Sequence, residues 1–261
     1  MLINGKTAVV TGGASGIGEA IARRFAEDGA SHIVVIDRDA DRAQAVAADI
    51  GGTSAVLDVA DPDATHEVFK RIEATIAPID VACLNAGVAI DGSFDAPDSE
   101  WTTAWDVNVM AHVFAARELV PGMIARGGGY IITTASAAGL LTNIGAAPYA
   151  VTKHAAVAFS EWLAVTYGRR GLAVSCLCPQ FVDTPMLDVF GASSDTMRDW
   201  VTDLAIRPDD VADAVVEAMH EERFLVLPHP EVGDYFRHKA TDYDRWIGGM
   251  QGLQSKMVPG T

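Results

Sequence analysis

Residues 7–18 read T-A-V-V-T-G-G-A-S-G-I-G, an apolar run that passes through a glycine-rich turn into a helical pattern. The run Thr7–Val10 predicts a buried strand, and the pattern from Gly16 to Asp28 predicts a helix. Glycines at such a turn let the main chain approach a pyrophosphate, and the helix offers unpaired N–H groups to an anion. The spacing is G-x-x-x-G-x-G, so the strand–turn–helix context carries the interpretation. The stretch predicts an α/β fold with a dinucleotide site.

The rest of the chain continues to alternate apolar runs with helical patterns. This order predicts right-handed βαβ crossovers and a parallel sheet covered on both faces. We therefore expect a doubly wound, parallel seven-stranded sheet (a Rossmann fold) in one domain over residues 1–261. The other strands are predicted at 33–36, 55–57, 79–84, 130–135, 172–177 and 224–227. The other helices are predicted at 39–50, 62–76, 99–109, 111–125, 149–167 and 208–220.

Composition limits the class of function. The net charge of −16 over 261 residues disfavours nucleic acid and membranes as partners, because phosphate-binding surfaces need clustered Lys and Arg. Cys83, Cys176 and Cys178 lie in apolar runs and are expected to be buried free thiols. The histidines lack a metal-binding spacing, so no metal site is expected. The sequence has no charged-then-apolar leader and no membrane-spanning run, and we expect a cytoplasmic protein.

Polar residues follow three of the predicted strands. Asp37 ends the second strand, where a carboxylate would accept hydrogen bonds from the adenosine ribose and repel a 2′-phosphate, which favours NAD. Arg38 is the argument for NADP, since a guanidinium can hold that phosphate. Asp37 could instead cap the next helix, a role that Asp39 could also fill. Asp58 and Asn85–Gly87 end the third and fourth strands, where open α/β sheets bind ligands, although each could be a turn.

The candidate catalytic group is Ser136, at the end of the fifth strand, with Tyr149 and Lys153 on the next helix. Residues four positions apart share a helix face, so the phenol and the ammonium are expected side by side. A hydroxyl facing this pair could hold an alcohol or carbonyl while Tyr149 moves its proton, which requires a hydride carrier. The pKa of a free tyrosine is about 10, and a nearby ammonium and a positive nicotinamide ring both favour the phenolate. The structural alternative is a helix whose Tyr and Lys are simply neighbours.

The glycine-rich loop, Asp58, Asn85–Gly87 and Ser136…Tyr149-x-x-x-Lys153 together resemble the short-chain dehydrogenase/reductase family over about residues 5–227. The resemblance implies an oxidoreductase with Tyr149 as acid/base, Ser136 as the anchor of the substrate oxygen, and Asn108 as holder of a proton-relay water. Lys153 would hold the nicotinamide ribose and depress the Tyr149 pKa. With Asp37 and Arg38, the cofactor-binding residues are expected to be Gly12, Ser15, Gly16, Ile17, Gly18, Asp58, Val59, Asn85, Ala86, Gly87, Tyr149, Lys153, Pro179, Val182 and Thr184. The family also implies a homotetramer or homodimer formed through the helices at 99–125 and 149–167.

The sequence after the sixth strand departs from the family pattern at Gln180, which follows Pro179 where a glycine is usual. Residues 180–206 then predict a mobile lid with apolar side chains. These side chains are Phe181, Met186, Leu187, Phe190, Met197, Trp200 and Leu204. Leu140, Leu141 and Ile144 are expected to form the opposite wall. We therefore expect an apolar secondary alcohol or ketone as the substrate and an NAD-dependent alcohol dehydrogenase or ketone reductase as the function.

Residues 230–261 form a C-terminal extension with apolar residues at helical intervals. Such a helix could pack on its own domain, cap the pocket or dock on a neighbouring subunit. Two other functions remain open on the residues alone. One is a catalytically silent NAD-binding sensor or scaffold, which the intact Ser136, Tyr149 and Lys153 disfavour. The other is an extended epimerase or dehydratase, for which the short C-terminal part leaves little room.

Overall fold

A computed structural model describes residues 1–187 and 201–257, and its centre is a parallel sheet of seven strands in the order β3-β2-β1-β4-β5-β6-β7. The predicted doubly wound parallel sheet is therefore confirmed. The strands are β1 (Thr7–Thr11), β2 (His32–Asp37), β3 (Thr53–Val56), β4 (Val81–Leu84), β5 (Gly129–Thr134), β6 (Leu172–Leu177) and β7 (Leu225–Val226). The helices are α1 (Gly16–Glu27), α2 (Ala40–Asp49), α3 (Pro62–Thr75), α4 (Asp98–Trp105), α5 (Ala111–Ala125), α6 (Ala147–Tyr167), α7 (Pro208–Glu221), α8 (Glu231–Thr241) and α9 (Tyr243–Met257).

The strand order reverses at β1, and this reversal positions the site. Thr11, the last residue of β1, pairs with Ile36 of β2 on one side and with Leu84 of β4 on the other. The chain leaves β1 and β4 toward helices on opposite faces, so a crevice opens at the carboxyl ends of these two strands. The glycine-rich turn and Asn85–Gly87 are brought together there.

Two apolar layers hold the helices on the sheet. On one face, α1 and α7 pack against β1 through residues such as Phe25 and Val215, with α2 beside them. On the other face, α3, α5 and α6 cover the sheet through residues such as Phe69, Leu119 and Leu163. The central strands β1, β4, β5 and β6 are buried on both faces, which is why they read as continuous apolar runs in the sequence, whereas the edge strand β3 is mostly exposed.

The largest departure from the predicted elements lies between α4 and α5. We expected a helix over 99–109, but the α-helical winding ends at Trp105 and a π-helical turn, Asp106–Met110, joins α4 to α5. Such turns carry one extra residue and are frequent at functional sites. The hydrophobic pattern gave no sign of it, because α4 before the turn is mostly polar and exposed and has Ala104 as its single buried residue.

The segment predicted as a lid, 180–206, is described only at its two ends. Its predicted apolar residues Phe190, Met197 and Trp200 lie outside the described residues. Its two described ends are joined by main-chain hydrogen bonds. The amide of Ile206 donates to the Phe181 carbonyl at 3.1 Å, and the amide of Asp183 donates to the Ile206 carbonyl at 2.9 Å. The two described ends of the segment are therefore held next to each other, close to the end of β6.

The C-terminal extension folds into α8 and α9, and its described part packs on its own chain. Val232 is buried, and Trp246 packs on the same apolar cluster, which includes Leu140 and Leu141. The predicted wall is wrong at these two leucines, because a 3-10 turn, Ala137–Gly139, directs them into this cluster instead of the cleft. The assignment of the whole chain to one domain stays a prediction. Within 1–187 and 201–257 there is no helix with the length and apolar character needed to span a membrane.

Candidate active site

A cleft of about 470 Å³ follows the carboxyl edge of the sheet from β2 to β6. Its volume lies within the range of about 300–1,000 Å³ typical of ligand sites. Most of the residues predicted from the sequence line it. They are Gly12, Ser15, Gly16, Ile17, Asp37, Arg38, Asp58, Val59, Asn85, Ala86, Gly87, Ser136, Tyr149, Lys153, Pro179, Val182 and Thr184. Gly18 and Asn108 are not among the described residues that line the cleft. Gly18 packs against the Gly12 carbonyl, and Asn108 is hydrogen-bonded to Val88 and Thr152.

The glycine-rich turn is tightly constrained. Gly12 adopts a φ of +62°, and a side chain there would place its Cβ 2.9 Å from the Cα of Ala86. A Cβ on Gly18 would lie 2.1 Å from the Gly12 carbonyl oxygen. The turn can therefore fold back on α1 only if both positions lack side chains, and the N-terminus of α1 then points into the cleft.

The loop after β4 is fastened to this turn by hydrogen bonds. Thr11 Oγ1 accepts from the amides of Asn85 (2.9 Å) and Ala86 (3.1 Å). The Asn85 side chain donates to the Gly12 carbonyl at 3.3 Å and accepts from Thr134 Oγ1 at 3.1 Å. Asn85 therefore links β1, β4 and β5 at the floor of the cleft, so its prediction as a support of the cofactor site fits the geometry.

At the β2 end of the cleft, the carboxylate of Asp37 accepts from two main-chain amides, Ala14 (3.1 Å) and Asp39 (3.1 Å). The cap of α2 is Asp39, whose side chain accepts from the Arg42 amide at 3.1 Å, so Asp37 is left to face the cleft. Arg38 is exposed, and its guanidinium has no ion pair within the part of the chain that the structure describes. Asp37, which favours NAD, and Arg38, which favours NADP, therefore both line the cleft.

Asp58 closes a turn and also lines the cleft, and its role in binding the cofactor stays a prediction. One carboxylate oxygen accepts from the Ala60 amide at 3.0 Å, which closes a turn after β3. The side chain also lines the cleft next to Val59. The residue is exposed, so a carboxylate oxygen remains accessible from the cleft.

Ser136, Tyr149 and Lys153 meet at the other end of the cleft, and all three are buried. The Lys153 ammonium lies 5.6 Å from the centroid of the Tyr149 ring and donates to the Thr134 carbonyl at 3.0 Å. Ser136 Oγ accepts from the Ala138 amide at 3.1 Å and is hydrogen-bonded to Tyr149. The phenol and the ammonium therefore share one face of α6, as predicted.

Burial controls the protonation of this group. Desolvation raises the pKa of Tyr149 to about 12, while the hydrogen bond with Ser136 acts in the opposite direction. Desolvation also lowers the pKa of Lys153 to about 8. The expectation that the Tyr149 pKa is depressed is not met by the protein side chains alone, because loss of hydration disfavours the phenolate more than its neighbours favour it.

Asn108 lies in the π-helical turn and is fully buried. Its side-chain oxygen accepts from the Val88 amide at 2.9 Å, and its nitrogen donates to the Val88 carbonyl at 3.0 Å and to Thr152 Oγ1 at 3.1 Å. These bonds use both N–H donors of the amide. The side chain thus fixes the loop after β4 to α6 next to Lys153. The water-holding role implied by the resemblance stays a prediction.

The substrate side of the cleft contains Gln180, which the sequence marked as a departure from the family pattern, and residues that sequence reasoning missed, among them His229. Gln180 lines the cleft, and its amide donates to Nδ1 of the buried His229 at 3.2 Å. Burial lowers the pKa of His229, which keeps the ring neutral and Nδ1 available as an acceptor. Thr134 was also missed, although it is a polar residue at the carboxyl end of a strand, which is the pattern that predicted a binding role for Asp37. The remaining newly found lining residues are mostly apolar and include Leu57, Val88, Ala89, Val107 and Ala135.

Comparison with known proteins agrees with this geometry. The family described as short chain dehydrogenase matches residues 6–194. The 1-deoxy-11-beta-hydroxypentalenate dehydrogenase of Streptomyces exfoliatus is 33% identical over 260 residues, which cover 95% of this chain and 91% of that protein. The chain therefore belongs to the short-chain dehydrogenase/reductase family of oxidoreductases, and the predicted family is confirmed.

Two solved structures support the fold and the type of cofactor. A short chain dehydrogenase/reductase from Burkholderia phymatum in complex with NAD has a TM-score of 0.82 and 26% identity, covering 94% of this chain and 96% of that one. The L-sorbose reductase of Gluconobacter frateurii, complexed with NADPH and L-sorbose, has a TM-score of 0.78 and 30% identity, covering 86% and 95%. A nicotinamide dinucleotide is thus supported as the cofactor.

Proposed function

We propose that this protein is an NAD-dependent dehydrogenase or reductase that acts on apolar secondary alcohols or ketones, with Tyr149 as its acid/base. The observation that carries the proposal is the convergence of Ser136, Tyr149 and Lys153 in one buried cluster at the end of a glycine-lined cleft. The assembled cluster favours an enzyme over the alternative of a catalytically silent sensor or scaffold.

The residues of the cleft fit a dinucleotide along its whole length. Gly12, Ser15, Gly16 and Ile17 would hold the pyrophosphate, and Asp37 the adenosine ribose. At the far end, Lys153 would hold the nicotinamide ribose, and Pro179, Val182 and Thr184 would border the nicotinamide. When bound, oxidised NAD supplies the hydride acceptor and a positive charge near Tyr149.

The chain's own residues move the proton. Ser136 would hold the substrate oxygen, and the Tyr149 phenolate would remove the hydroxyl proton as the carbonyl forms. The Lys153 ammonium favours the phenolate. In the reverse direction the Tyr149 phenol returns the proton to the carbonyl oxygen. The buried position of all three side chains keeps water from competing for that proton.

The preference for NAD rests on Asp37. A carboxylate at the end of β2 would repel the 2′-phosphate of NADP, and its position beside the glycine turn is fixed by the Ala14 amide. Arg38 is the counter-argument, since its exposed guanidinium could attract that phosphate. We give more weight to Asp37 because its carboxylate is held in place and is less exposed than Arg38.

The proposal of an apolar substrate rests on the lining of the cleft beside Tyr149. Val88, Ala89, Val107, Met186 and Leu187 line this part, with Gln180 as a polar neighbour. The relative from Streptomyces exfoliatus is named for a hydroxypentalenate, which supports a hydroxylated organic substrate. The relative that reduces L-sorbose is the contrary example, since its substrate is a sugar.

We also propose that the chain forms a homotetramer or homodimer. The helix α6 exposes Val151, Trp162 and Val165, and the relative exposure of Val165 reaches 84%. Large apolar side chains in this number on one helix are typical of a protein–protein contact. The cytoplasmic location stays a prediction.

The experiment that tests the function is a screen of secondary alcohols with NAD and NADP, followed by absorbance of the reduced cofactor. We expect turnover of bulky apolar alcohols with NAD and little with NADP. Turnover restricted to small polyols would replace the substrate class, and turnover with NADP alone would replace the cofactor. Cofactor binding without turnover of any alcohol or ketone would instead favour the sensor function.

A further inference from the structure

Lys239 of the C-terminal helix α8 is a buried lysine, with only 7% of its surface exposed. Its ammonium donates to the carbonyls of Leu140 (2.7 Å) and Leu141 (3.2 Å) and lies 3.5 Å from His154 Nε2. The Tyr243 ring covers another side, with its centroid 5.4 Å away. Within the described ranges no carboxylate pairs with it. A buried ammonium is unfavourable unless its three donors are used, and here each has an acceptor.

The two carbonyls belong to the turn that begins at Ser136. Ser136 caps this turn by accepting from the Ala138 amide at 3.1 Å, and the Leu141 amide donates to the Ala137 carbonyl at 2.8 Å. The carbonyls of Leu140 and Leu141 point out of the turn and are satisfied by Lys239. The next residue, Thr142, has a φ of +122°, which a non-glycine residue keeps only where its surroundings hold it.

The same ammonium also contacts the catalytic helix. His154 follows Lys153 on α6, and its Nδ1 lies 2.8 Å from the Ala150 carbonyl. Because a carbonyl can only accept, Nδ1 carries the proton and Nε2 is free to accept from Lys239. One ammonium thus connects the Ser136 turn, the catalytic helix and the C-terminal segment.

We propose that Lys239 is a positioning residue that holds the turn carrying Ser136 against the helix carrying Tyr149. The C-terminal segment would then set the orientation of the Ser136 hydroxyl without contacting the cleft. The inference rests on the proposed function for its kinetic consequences. The contacts on which it depends are independent of that function.

The test is Lys239→Met, which keeps an unbranched side chain one atom shorter and removes its donors. We expect kcat to fall about tenfold while the Kd for NAD is unchanged. The apparent pKa of the kcat profile should also rise, since the Ser136 hydrogen bond that lowers the Tyr149 pKa is weakened. Hydrogen exchange of the peptide amides at 138–142 should accelerate at least tenfold.

Val216→Ala is the matched control for a simple loss of stability, because Val216 is buried in α7 in a different apolar cluster. It should lower the melting temperature and leave the pH profile and the exchange at 138–142 unchanged. If Lys239→Met does not fold, Lys239→Gln, which keeps one donor group, should give changes in the same direction.

Two results would overturn separate claims. A variant at Lys239 with wild-type kcat, wild-type pH profile and wild-type exchange removes the positioning role and leaves the dehydrogenase assignment intact. A wild-type protein that turns over no alcohol or ketone removes the proposed function. In that case the exchange measurement, which needs no turnover, still decides whether Lys239 holds the turn.

Discussion

The two ends of the cleft are built differently. At the adenosine end, Asp37, Arg38 and Asp58 are exposed or half-buried, and two of them are held by main-chain amides close to them in sequence. At the catalytic end, Tyr149 and Lys153 are buried, and the Lys153 ammonium donates to the Thr134 carbonyl at the end of β5. Exposed or half-buried charged side chains therefore define the first end, and buried polar side chains define the second. Substitutions should have correspondingly different effects.

The largest effect is expected for Tyr149→Phe at the catalytic end. Removing the hydroxyl removes the only proposed acid/base, and kcat should fall by roughly 10³-fold, within the usual range for general acid–base catalysis. The Kd for NAD, measured by titration, should stay within about twofold because the phenyl ring still fills the site.

Tyr235→Phe provides the control, since it makes the same chemical change at an exposed tyrosine of α8. It should leave kcat unchanged. A Tyr149→Phe enzyme with wild-type turnover would show that the catalytic end does not carry the chemistry.

The next largest effect is expected at the glycine-rich turn between the two ends, for Gly18→Ala. The added Cβ would lie 2.1 Å from the Gly12 carbonyl oxygen, so the turn must open. Overpacking of this kind costs about 2–3 kcal/mol, and we expect roughly 100-fold weaker NAD binding by fluorescence titration. Gly168→Ala is the control, because a Cβ there meets nothing within 4 Å. Equal affinities of the two variants would contradict the constrained turn.

A smaller effect is expected for Asp37→Asn at the adenosine end. This substitution removes the negative charge and changes the shape of the side chain very little. We expect roughly tenfold weaker discrimination against NADP, equivalent to about 1.4 kcal/mol, because the repulsion of the 2′-phosphate by the carboxylate is lost. The ratio of kcat/KM for NAD and NADP measures it. Asp39→Asn removes the same charge two residues away and should not change the ratio, because asparagine also caps helices well. An unchanged ratio in Asp37→Asn would assign cofactor choice to Arg38.

The smallest effect concerns pH and the buried His112, which lies under the adenosine end beside Thr11 and Leu84. Desolvation, with a contribution from Lys153, lowers its pKa from 6.5 to about 3. As pH falls below 6.5 the unfolded chain gains the proton first, so stability is full above 6.5 and is lost progressively toward pH 3. The loss between pH 7 and 5.5 should be about 1 kcal/mol.

His112→Leu should flatten this dependence in urea unfolding at several pH values. The exposed His220 offers a control for the loss of one histidine. A variant at His112 that keeps the full wild-type slope would show that another group, such as the buried His229, causes the acid sensitivity.

These contrasts explain what the sequence could predict. Parallel strands bring their carboxyl ends to one edge, so Asp37, Asp58 and Asn85 could be placed in one cleft from strand positions alone. The Tyr149–Lys153 pair was also accessible, because helix periodicity fixes which residues share a face. Each of these predictions needed only local structure and the strand–helix alternation.

The rest depended on tertiary contacts that no local pattern encodes. Leu140 and Leu141 were expected in the cleft, but the 3-10 turn after Ser136 directs them into the core beneath the C-terminal helices. Lys239 and His229 were not predicted, since their acceptors and donors lie far away in sequence. The rise of the Tyr149 pKa by burial was missed for the same reason.

The π-helical turn Asp106–Met110 determines where this part of the chain can gain or lose a residue. Each residue of an α-helix advances the direction of the side chains by about 100°. Because the wider turn accommodates one extra residue, the loss of a residue here can be absorbed by a return to ordinary winding, which keeps Leu119 and Met123 buried against the sheet. A deletion in α5 between this turn and Leu119 has no such reserve and would rotate the buried side chains that follow, so changes of length should be tolerated in the turn and selected against in α5.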